Sequence, residues 1–227
     1  MLLNLIVPIA SDKEEYNTIM PRVFGFYEDG TVLCVKAIEG LDLSRFENIY
    51  YVILRKHNER YSVSELLQMQ FRHKGWKNAK VVILDSPTRS QAETVYQTIK
   101  QEGITGGIFI KDSDGYFECD FTMSNGIATY PLDYLDIVDP KHKSYVSIDN
   151  QYYITNIIEK KIISRFFNAG GYLFDNAQLY CSYYERFQEE SRLYLSHLVY
   201  AMLLDNISFR PFEAENYIDW NSSLKQC

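Results

Sequence analysis

Two carboxylates stand close together after an apolar run near the middle of the chain. Residues 107–110 (GIFI) are followed by Lys111, Asp112, Ser113 and Asp114. Oxygen ligands of this kind are preferred by Mg²⁺, so Asp112 and Asp114 are candidate metal ligands. The letters Asp-Ser-Asp-Gly are also a common turn sequence, so the pattern by itself leaves both interpretations open.

A second segment suited to chemistry is residues 85–89, which follow the apolar run 80–84. Ser90 and Glu93 form a capping-box pattern, which predicts that a helix begins there. A helix N-terminus offers N–H groups and a positive dipole end to an anion. Arg89 would add positive charge, although a loop arginine is more often a solvated surface residue.

Alternating strand and helix patterns in the first half must position these residues. Continuous apolar runs predict buried strands at 2–9, 48–54, 80–84 and 107–110. Capping boxes at Ser62 and Ser90 predict two helices, which end near Gly75 and Gly103. Strands joined through helices pair in parallel, and ligands bind beyond their carboxyl ends. That rule selects the loops 10–21, 85–89 and 111–115 as the site.

Shorter strand patterns follow in the second half. Strands are predicted at 117–121, 126–132, 145–148, 152–159, 167–174 and 207–212, and helices at 176–188 and 191–204. Asp149 and Asn150 predict a hairpin turn between two of these strands. We expect one α/β domain over residues 1–227, with a β-rich second half, because no linker or repeat marks a boundary.

The composition excludes several classes of protein. The 227 residues carry a formal net charge of −7, whereas nucleic-acid binders carry a basic surplus. The four cysteines have no zinc-type spacing. The apolar start lacks a basic n-region and a cleavage site, and residues 193–204 are too short to span a bilayer. We therefore expect a cytoplasmic protein with neither a nucleic-acid nor a membrane partner.

Eight stretches in sequence order resemble motifs of the sugar-phosphate nucleotidyltransferases. They are residues 5–10 (LIVPIA), 21–22 (PR), 51–57 (YVILRKH), 87–95 (PTRSQAETV), 111–114 (KDSD), 154–160 (ITNIIEK), 168–174 (NAGGYLF) and 219–222 (DWNS). The resemblance implies a GT-A-like, Rossmann-like three-layer sandwich with a mixed, mainly parallel sheet. It also implies an enzyme that joins a nucleoside triphosphate to a sugar phosphate or other small phosphate acceptor and releases pyrophosphate. Mg²⁺, or Mn²⁺ in its place, is the implied cofactor.

The resemblance also assigns roles to individual residues. The metal ligands would be Asp114 and Asp219, together with Asp112. The charged residues of catalysis would be Lys13 and Arg22, which would neutralise the triphosphate, and Lys160, which would hold the acceptor phosphate. The nucleotide would contact Pro8, Ala10, Thr88, Arg89, Ser90 and Ser113. The acceptor would contact Glu159, Asn168 and Gly170. Synthesis of surface-polysaccharide precursors is the implied setting, with CTP as one candidate nucleotide and a homodimer as one option for the assembly.

The first loop departs from the family. Its relatives carry a Gly-rich loop whose backbone N–H groups approach the triphosphate closely. Here residues 11–17 (SDKEEYN) hold no glycine and three acids, which would repel a triphosphate. Either Lys13 supplies charge in a rebuilt loop, or the chain has lost activity.

Two other functions therefore stay open. Asp112 and Asp114 also fit the D-x-D motif of a GT-A glycosyltransferase, which binds a nucleotide sugar and needs no Gly-rich loop. A non-catalytic relative that binds a partner or senses a nucleotide is the second alternative, supported by the acidic first loop.

Overall fold

The computed structural model describes residues 2–13, 19–135, 142–190 and 192–220. The strands are β1 (Leu3–Pro8), β2 (Asn48–Leu54), β3 (Ala79–Leu84), β4 (Gly107–Lys111), β5 (Gly115–Glu118), β6 (Gly126–Pro131), β7 (Ser144–Ile148), β8 (Ile154–Glu159), β9 (Phe166–Phe174), β10 (Arg210–Glu213) and β11 (Glu215–Asp219). The α-helices are α1 (Leu33–Lys36), α2 (Arg55–Tyr61), α3 (Val63–Lys74), α4 (Gln91–Glu102), α5 (Ala177–Phe187) and α6 (Leu195–Leu204).

The main sheet has the strand order β10-β6-β9-β4-β1-β2-β3. Strands β4, β1, β2 and β3 are parallel to one another, and β10 is parallel to β6. Strand β9 is antiparallel to each of its neighbours, β4, β6 and β7. The prediction of a mixed, mainly parallel sheet is confirmed.

The sheet has a helical layer on each face. Successive strand residues point to opposite sides, so Tyr50 and Val52 join one core while Tyr51 and Ile53 join the other. Helices α4, α5 and α6 contribute to the first core, and α1 and α3 to the second. Burial on both faces explains why β2 reads as a continuous apolar run. The three-layer arrangement agrees with the predicted fold class.

Strand β9 changes its neighbour partway along one side. Residues 166–167 pair with β7, and residues 171–174 pair with β4. Between them the Oδ1 atom of Asn168 accepts hydrogen bonds from the backbone N–H groups of Gly170 (2.9 Å) and Gly171 (3.2 Å). Gly170 has a φ of +94°, a conformation that suits glycine. The end of β4 and the start of β7 therefore meet beside this irregular segment.

A separate two-stranded antiparallel ribbon joins β5 to β11. Its register places Asp219 opposite Gly115. The ribbon thus carries the end of the described chain back to the loop that follows β4.

The predicted capping box at Ser62 is wrong. Ser62 has a left-handed φ of 50°, and its side chain makes no capping hydrogen bond. Instead its N–H group donates to the carbonyl oxygen of Asn58 (2.8 Å), which closes α2. The Asn58 side chain accepts from the N–H group of Ser64 (2.8 Å) and so takes the place of the predicted cap. Ser62 cannot cap α3 because it terminates the preceding helix.

Several boundaries in the second half also differ from the prediction. The strand predicted at 117–121 is Gly115–Glu118, because its pairing with β11 begins at Gly115. The helix predicted from residue 191 begins at Leu195, and residue 191 itself lies outside the described residues. The strand predicted at 207–212 is Arg210–Glu213, which pairs with β6.

Candidate active site

A buried lysine supports the loop that follows β4. The Lys111 Nζ atom donates to the carbonyl oxygens of Asp112 (2.9 Å) and Gly115 (2.8 Å). It also lies 4.4 Å from the centroid of the Phe117 ring. Burial lowers the pKa of Lys111 to about 8, although the charges of Asp112 and Asp114 favour its protonated form. Lys111 therefore fixes the backbone of the segment that presents these two carboxylates.

Asp112 is half-buried and held from two sides. Its Oδ1 atom accepts a hydrogen bond from the Gln91 Nε2 atom (2.5 Å), and its N–H group donates to the Gly170 carbonyl oxygen (2.8 Å). A Cβ atom at position 170 would lie 2.8 Å from the Asp112 Oδ2 atom. Burial and then the charge of Asp114 raise the pKa of Asp112, against the effects of the Gln91 bond and of Lys111.

Asp219 reaches the same place through the β5–β11 ribbon. Its Oδ2 atom lies 2.7 Å from the Lys143 Nζ atom, which also donates to the Tyr217 hydroxyl. Burial, followed by the charges of Asp219, Asp114 and Asp112, raises the pKa of Tyr217 well above its usual value. The three aspartates therefore act on one tyrosine, and we call Asp112, Asp114 and Asp219 the carboxylate cluster.

The predicted acceptor residues Glu159 and Lys160 contact the beginning of α6. The Glu159 Oε2 atom accepts from the hydroxyls of Ser144 (2.5 Å) and Ser196 (2.7 Å). The Lys160 Nζ atom donates to the Tyr194 hydroxyl (2.6 Å). In this conformation the two adjacent residues have different partners.

The acceptor residues adjoin the carboxylate cluster through buried Tyr172. Burial, and then the charges of Asp112 and Glu159, raise the pKa of Tyr172. The Asn168 side chain accepts hydrogen bonds from backbone N–H groups of β9, and Gly170 packs against Asp112. The structure thus brings these predicted acceptor residues beside the cluster, and their contact with an acceptor stays a prediction.

Most of the predicted nucleotide residues lie at or just after the ends of β1 and β3, and Ser113 follows β4. Thr88 shares a 2.6 Å hydrogen bond with the hydroxyl of Thr94, and its Oγ1 atom lies 3.5 Å from the carbonyl oxygen of Ala10. Pro8 ends β1, and Ser113 is half-buried between the two aspartates of its loop. These contacts connect the loops after two parallel strands.

Ser90 and Arg89 have partners on α4. The Ser90 Oγ atom accepts from the N–H group of Glu93 (3.2 Å), so the predicted helix cap is confirmed. Arg89 is exposed, and its Nε atom lies 3.2 Å from the Glu93 carboxylate. Its Nη2 atom lies 3.5 Å from the Tyr184 hydroxyl. Contact between Arg89 and a nucleotide stays a prediction.

A lysine compensates one acid of the first loop. The Asp12 carboxylate lies 2.5 Å from the Lys56 Nζ atom and 4.0 Å from the Nε2 atom of buried His57. Burial lowers the pKa of His57. Glu14 and Glu15 lie outside the described residues. The repulsion expected from the loop is therefore reduced at Asp12.

Lys13 and Arg22, the predicted triphosphate ligands, are both exposed. They flank residues 14–18, which lie outside the described residues. Their roles stay predictions.

Solved structures show what this arrangement is similar to. A nucleoside-diphosphate-sugar pyrophosphorylase from Vibrio cholerae RC9 superimposes with a TM-score of 0.76 at 15% identity, covering 98% of this chain and 96% of that one. The inositol-1-phosphate CTP transferase from T. maritima gives a TM-score of 0.72 at 17% identity, with 96% and 87% covered. A putative glucose-1-phosphate thymidylyltransferase from Bacillus anthracis gives 0.72 at 12% identity, with 100% and 92% covered.

The chain has the fold of the sugar-phosphate nucleotidyltransferases. No protein-family model matches the sequence, and no curated protein matches it either. The similar solved structures confirm the resemblance inferred from eight short motifs at the level of the nucleotidyltransferase fold.

The donor chemistry of the carboxylate cluster fits a hard divalent cation. Carboxylate oxygens are the usual ligands of Mg²⁺, and the repulsion between Asp112 and Asp114 is of the kind that a cation relieves. Within the described ranges, however, no group of three or more His, Cys, Asp or Glu side chains is arranged as a metal site. The aspartate that would complete the set, Asp219, is bonded to Lys143.

Four residues of this candidate site were missed in the sequence. Lys111 and Tyr217 flank predicted ligands and could have been found as neighbours. Gln91 follows the Ser90 cap and was available as a polar residue at a helix start. Lys143 gave no signal, because its partner Asp219 lies 76 positions away.

Proposed function

We propose that this protein is a metal-dependent nucleotidyltransferase that joins a nucleoside triphosphate to a small phosphate acceptor, with sugar phosphates as the leading class. The supporting observation is that the carboxylate cluster and Lys143 gather beside the carboxyl end of β4. In open α/β sheets this is the edge where ligands bind. The similar solved structures include a pyrophosphorylase of nucleoside-diphosphate sugars and a CTP transferase.

The proposed reaction is an in-line displacement. An oxygen of the acceptor phosphate forms a bond to the α-phosphorus, while the bond from that phosphorus to the β-phosphate oxygen breaks. Pyrophosphate leaves with the electron pair. The protein's part in such a transfer is to position the groups and to offset charge. Asp114 and Asp219 would hold the Mg²⁺, which supplies charge neutralisation when bound.

The chain's own cations and acceptor residues complete the proposal. Lys13 and Arg22 would offset the triphosphate, and Lys160 would leave Tyr194 to meet the acceptor phosphate. Glu159 would accept hydrogen bonds from the acceptor's hydroxyl groups. CTP as the nucleotide and surface-polysaccharide precursors as the product are part of this proposal, as is a cytoplasmic location. Within the described residues no helix is both long enough and apolar enough to cross a bilayer.

The direct test is pyrophosphate release with Mg²⁺ over a panel of the common nucleoside triphosphates and phosphate acceptors. Asp114→Asn and Asp219→Asn should each lower kcat about 100-fold, because transition-state charge stabilisation of roughly 3 kcal/mol is lost. Asp133→Asn is the matched control, since Asp133 is exposed and paired with Arg165 (3.3 Å). It should leave kcat unchanged.

If no pair of substrates turns over above the Asp114→Asn level, the nucleotidyltransferase proposal fails. Hydrolysis of a UDP- or GDP-sugar with Mn²⁺, without pyrophosphate release, would instead support a GT-A glycosyltransferase. A failure of every nucleotide to raise the thermal midpoint would support the non-catalytic alternative, because binding to the native state must raise apparent stability.

A further inference from the structure

The ammonium group of Lys143 has a defined position within the carboxylate cluster. Its side chain is only 14% exposed, and its Nζ atom lies 2.7 Å from the Asp219 carboxylate. The same atom lies 5.4 Å from the centroid of the Phe167 ring and 5.0 Å from that of Tyr217. Two aromatic faces and one carboxylate therefore hold a cation that is largely removed from water.

The surrounding charges explain why a cation is stable there. Burial, and then the negative charge of Asp114, raise the pKa of Asp112. Asp219 adds a third negative charge that acts on Tyr217 together with those of Asp112 and Asp114, and a nearby cation offsets such a concentration of like charge. The charges of Lys111 and Lys143 both act on Asp112. Lys111 is committed to backbone carbonyls, whereas Lys143 bonds a side-chain carboxylate.

We propose that Lys143 is an internal counter-ion that competes with a divalent cation for Asp219. In the metal-free protein Lys143 neutralises Asp219 and prevents repulsion within the carboxylate cluster. A divalent cation that takes Asp219 releases the ammonium, which then faces the anionic ligand of the site. This inference rests on the metal site of the proposed function, and it assigns Lys143 as a positioning residue for that site.

The competition has a definite sign. Removing the charge of Lys143 removes a counter-ion of Asp219 and makes the cluster more negative. Divalent cations should then bind more tightly. If Lys143 were only a structural residue, its removal would instead loosen the fold and weaken the binding of divalent cations. Lys143 precedes β7, and its carbonyl oxygen accepts a hydrogen bond from the backbone N–H group of Lys160 (2.8 Å). This bond links the exchange of cations at Asp219 to a residue proposed to meet the acceptor phosphate.

The test is a titration of the nucleotide-free protein with Mn²⁺, followed by the electron paramagnetic resonance signal of free Mn²⁺. Lys143→Met should bind Mn²⁺ at least threefold more tightly than the unmodified protein. Lys143→Arg keeps the charge and should bind as the unmodified protein does. Lys80→Met is the matched control for net charge, because Lys80 is exposed on β3, at the far edge of the sheet from β7 and β9.

Adding Asp219→Asn to Lys143→Met should abolish the gain in affinity. Equal or weaker Mn²⁺ binding by a folded Lys143→Met, or an equal gain in Lys80→Met, would overturn the proposal. So would the absence of Mn²⁺ binding from both the unmodified protein and Lys143→Met. Since no substrate is present, a failure of pyrophosphate release leaves this result standing and the two proposals can fail separately.

Discussion

Gly170 shows how one residue can set the position of a carboxylate. Its left-handed φ of +94° and its closeness to Asp112 are independent constraints, and both are met only by a residue without a side chain. The carbonyl oxygen of Gly170 also receives the N–H group of Asp112 (2.8 Å). The placement of Asp112 therefore depends on the backbone of β9 as much as on its own loop.

Gly170→Ala should lower the free energy of unfolding by about 3 kcal/mol, roughly 1 from the left-handed backbone and the rest from the contact with Asp112. Gly75→Ala is the matched control, because Gly75 has a φ of +72° and nothing within 4 Å of its added Cβ atom. It should cost only about 1 kcal/mol. Chemical denaturation of both variants measures the difference, and equal losses would show that the contact with Asp112 has no energetic effect.

Among the elements, α3 and α4 differ in how they begin. Each helix follows a serine, and a glutamate lies three residues after that serine. Ser90 is extended and caps α4, whereas Ser62 is left-handed and closes α2. The cap of α4 matters for the site because Gln91, the first residue of that helix, donates to Asp112.

Ser90→Ala should lower the free energy of unfolding by about 1 kcal/mol, the usual loss for a helix cap. Ser62→Ala should change it by only a few tenths of a kcal/mol, because the Ser62 side chain makes no capping bond. Urea denaturation of the two variants tests the contrast. A loss at Ser62 as large as that at Ser90 would contradict the capping pattern seen here.

For the molecule as a whole, a fully buried lysine links stability to pH. Burial lowers the pKa of Lys111 to about 8 from an unfolded value near 10.5. Between these values the unfolded chain holds a proton that the native protein has released. Stability contributed by this residue therefore increases as the pH rises through the window, and below pH 8 the native state carries the cost of a buried charge.

Lys111→Met removes this dependence. The free energy of unfolding of the unmodified protein, relative to the variant, should rise by about 3 kcal/mol between pH 8 and pH 10.5. Denaturation of both proteins at several pH values, with a chelator present, measures the difference and cancels the titration of other groups. A pH-independent difference would show that Lys111 keeps an ordinary pKa in the fold.

Elements with local sequence signals agree with the prediction. Strands β1 to β4 agree with the prediction to within one or two residues. For β1, β2 and β4 the reason is burial on both faces, which makes each a nearly continuous apolar run. The helix ends at Gly75 and Gly103 and the cap at Ser90 were also predicted, since capping depends on only a few neighbouring residues. The positions of Asp112 and Asp114 followed from the end of β4.

Contacts between residues that are distant in the sequence depend on how the elements pack in three dimensions. The role of Ser62 depended on where α2 ends, and the pairing of Lys143 with Asp219 depends on both the β7–β9 junction and the β5–β11 ribbon. Pairing between strands that are far apart in the sequence produces no periodic pattern of residues in either strand. A single lysine before a short strand therefore looks like any surface charge until the fold places it against Asp219.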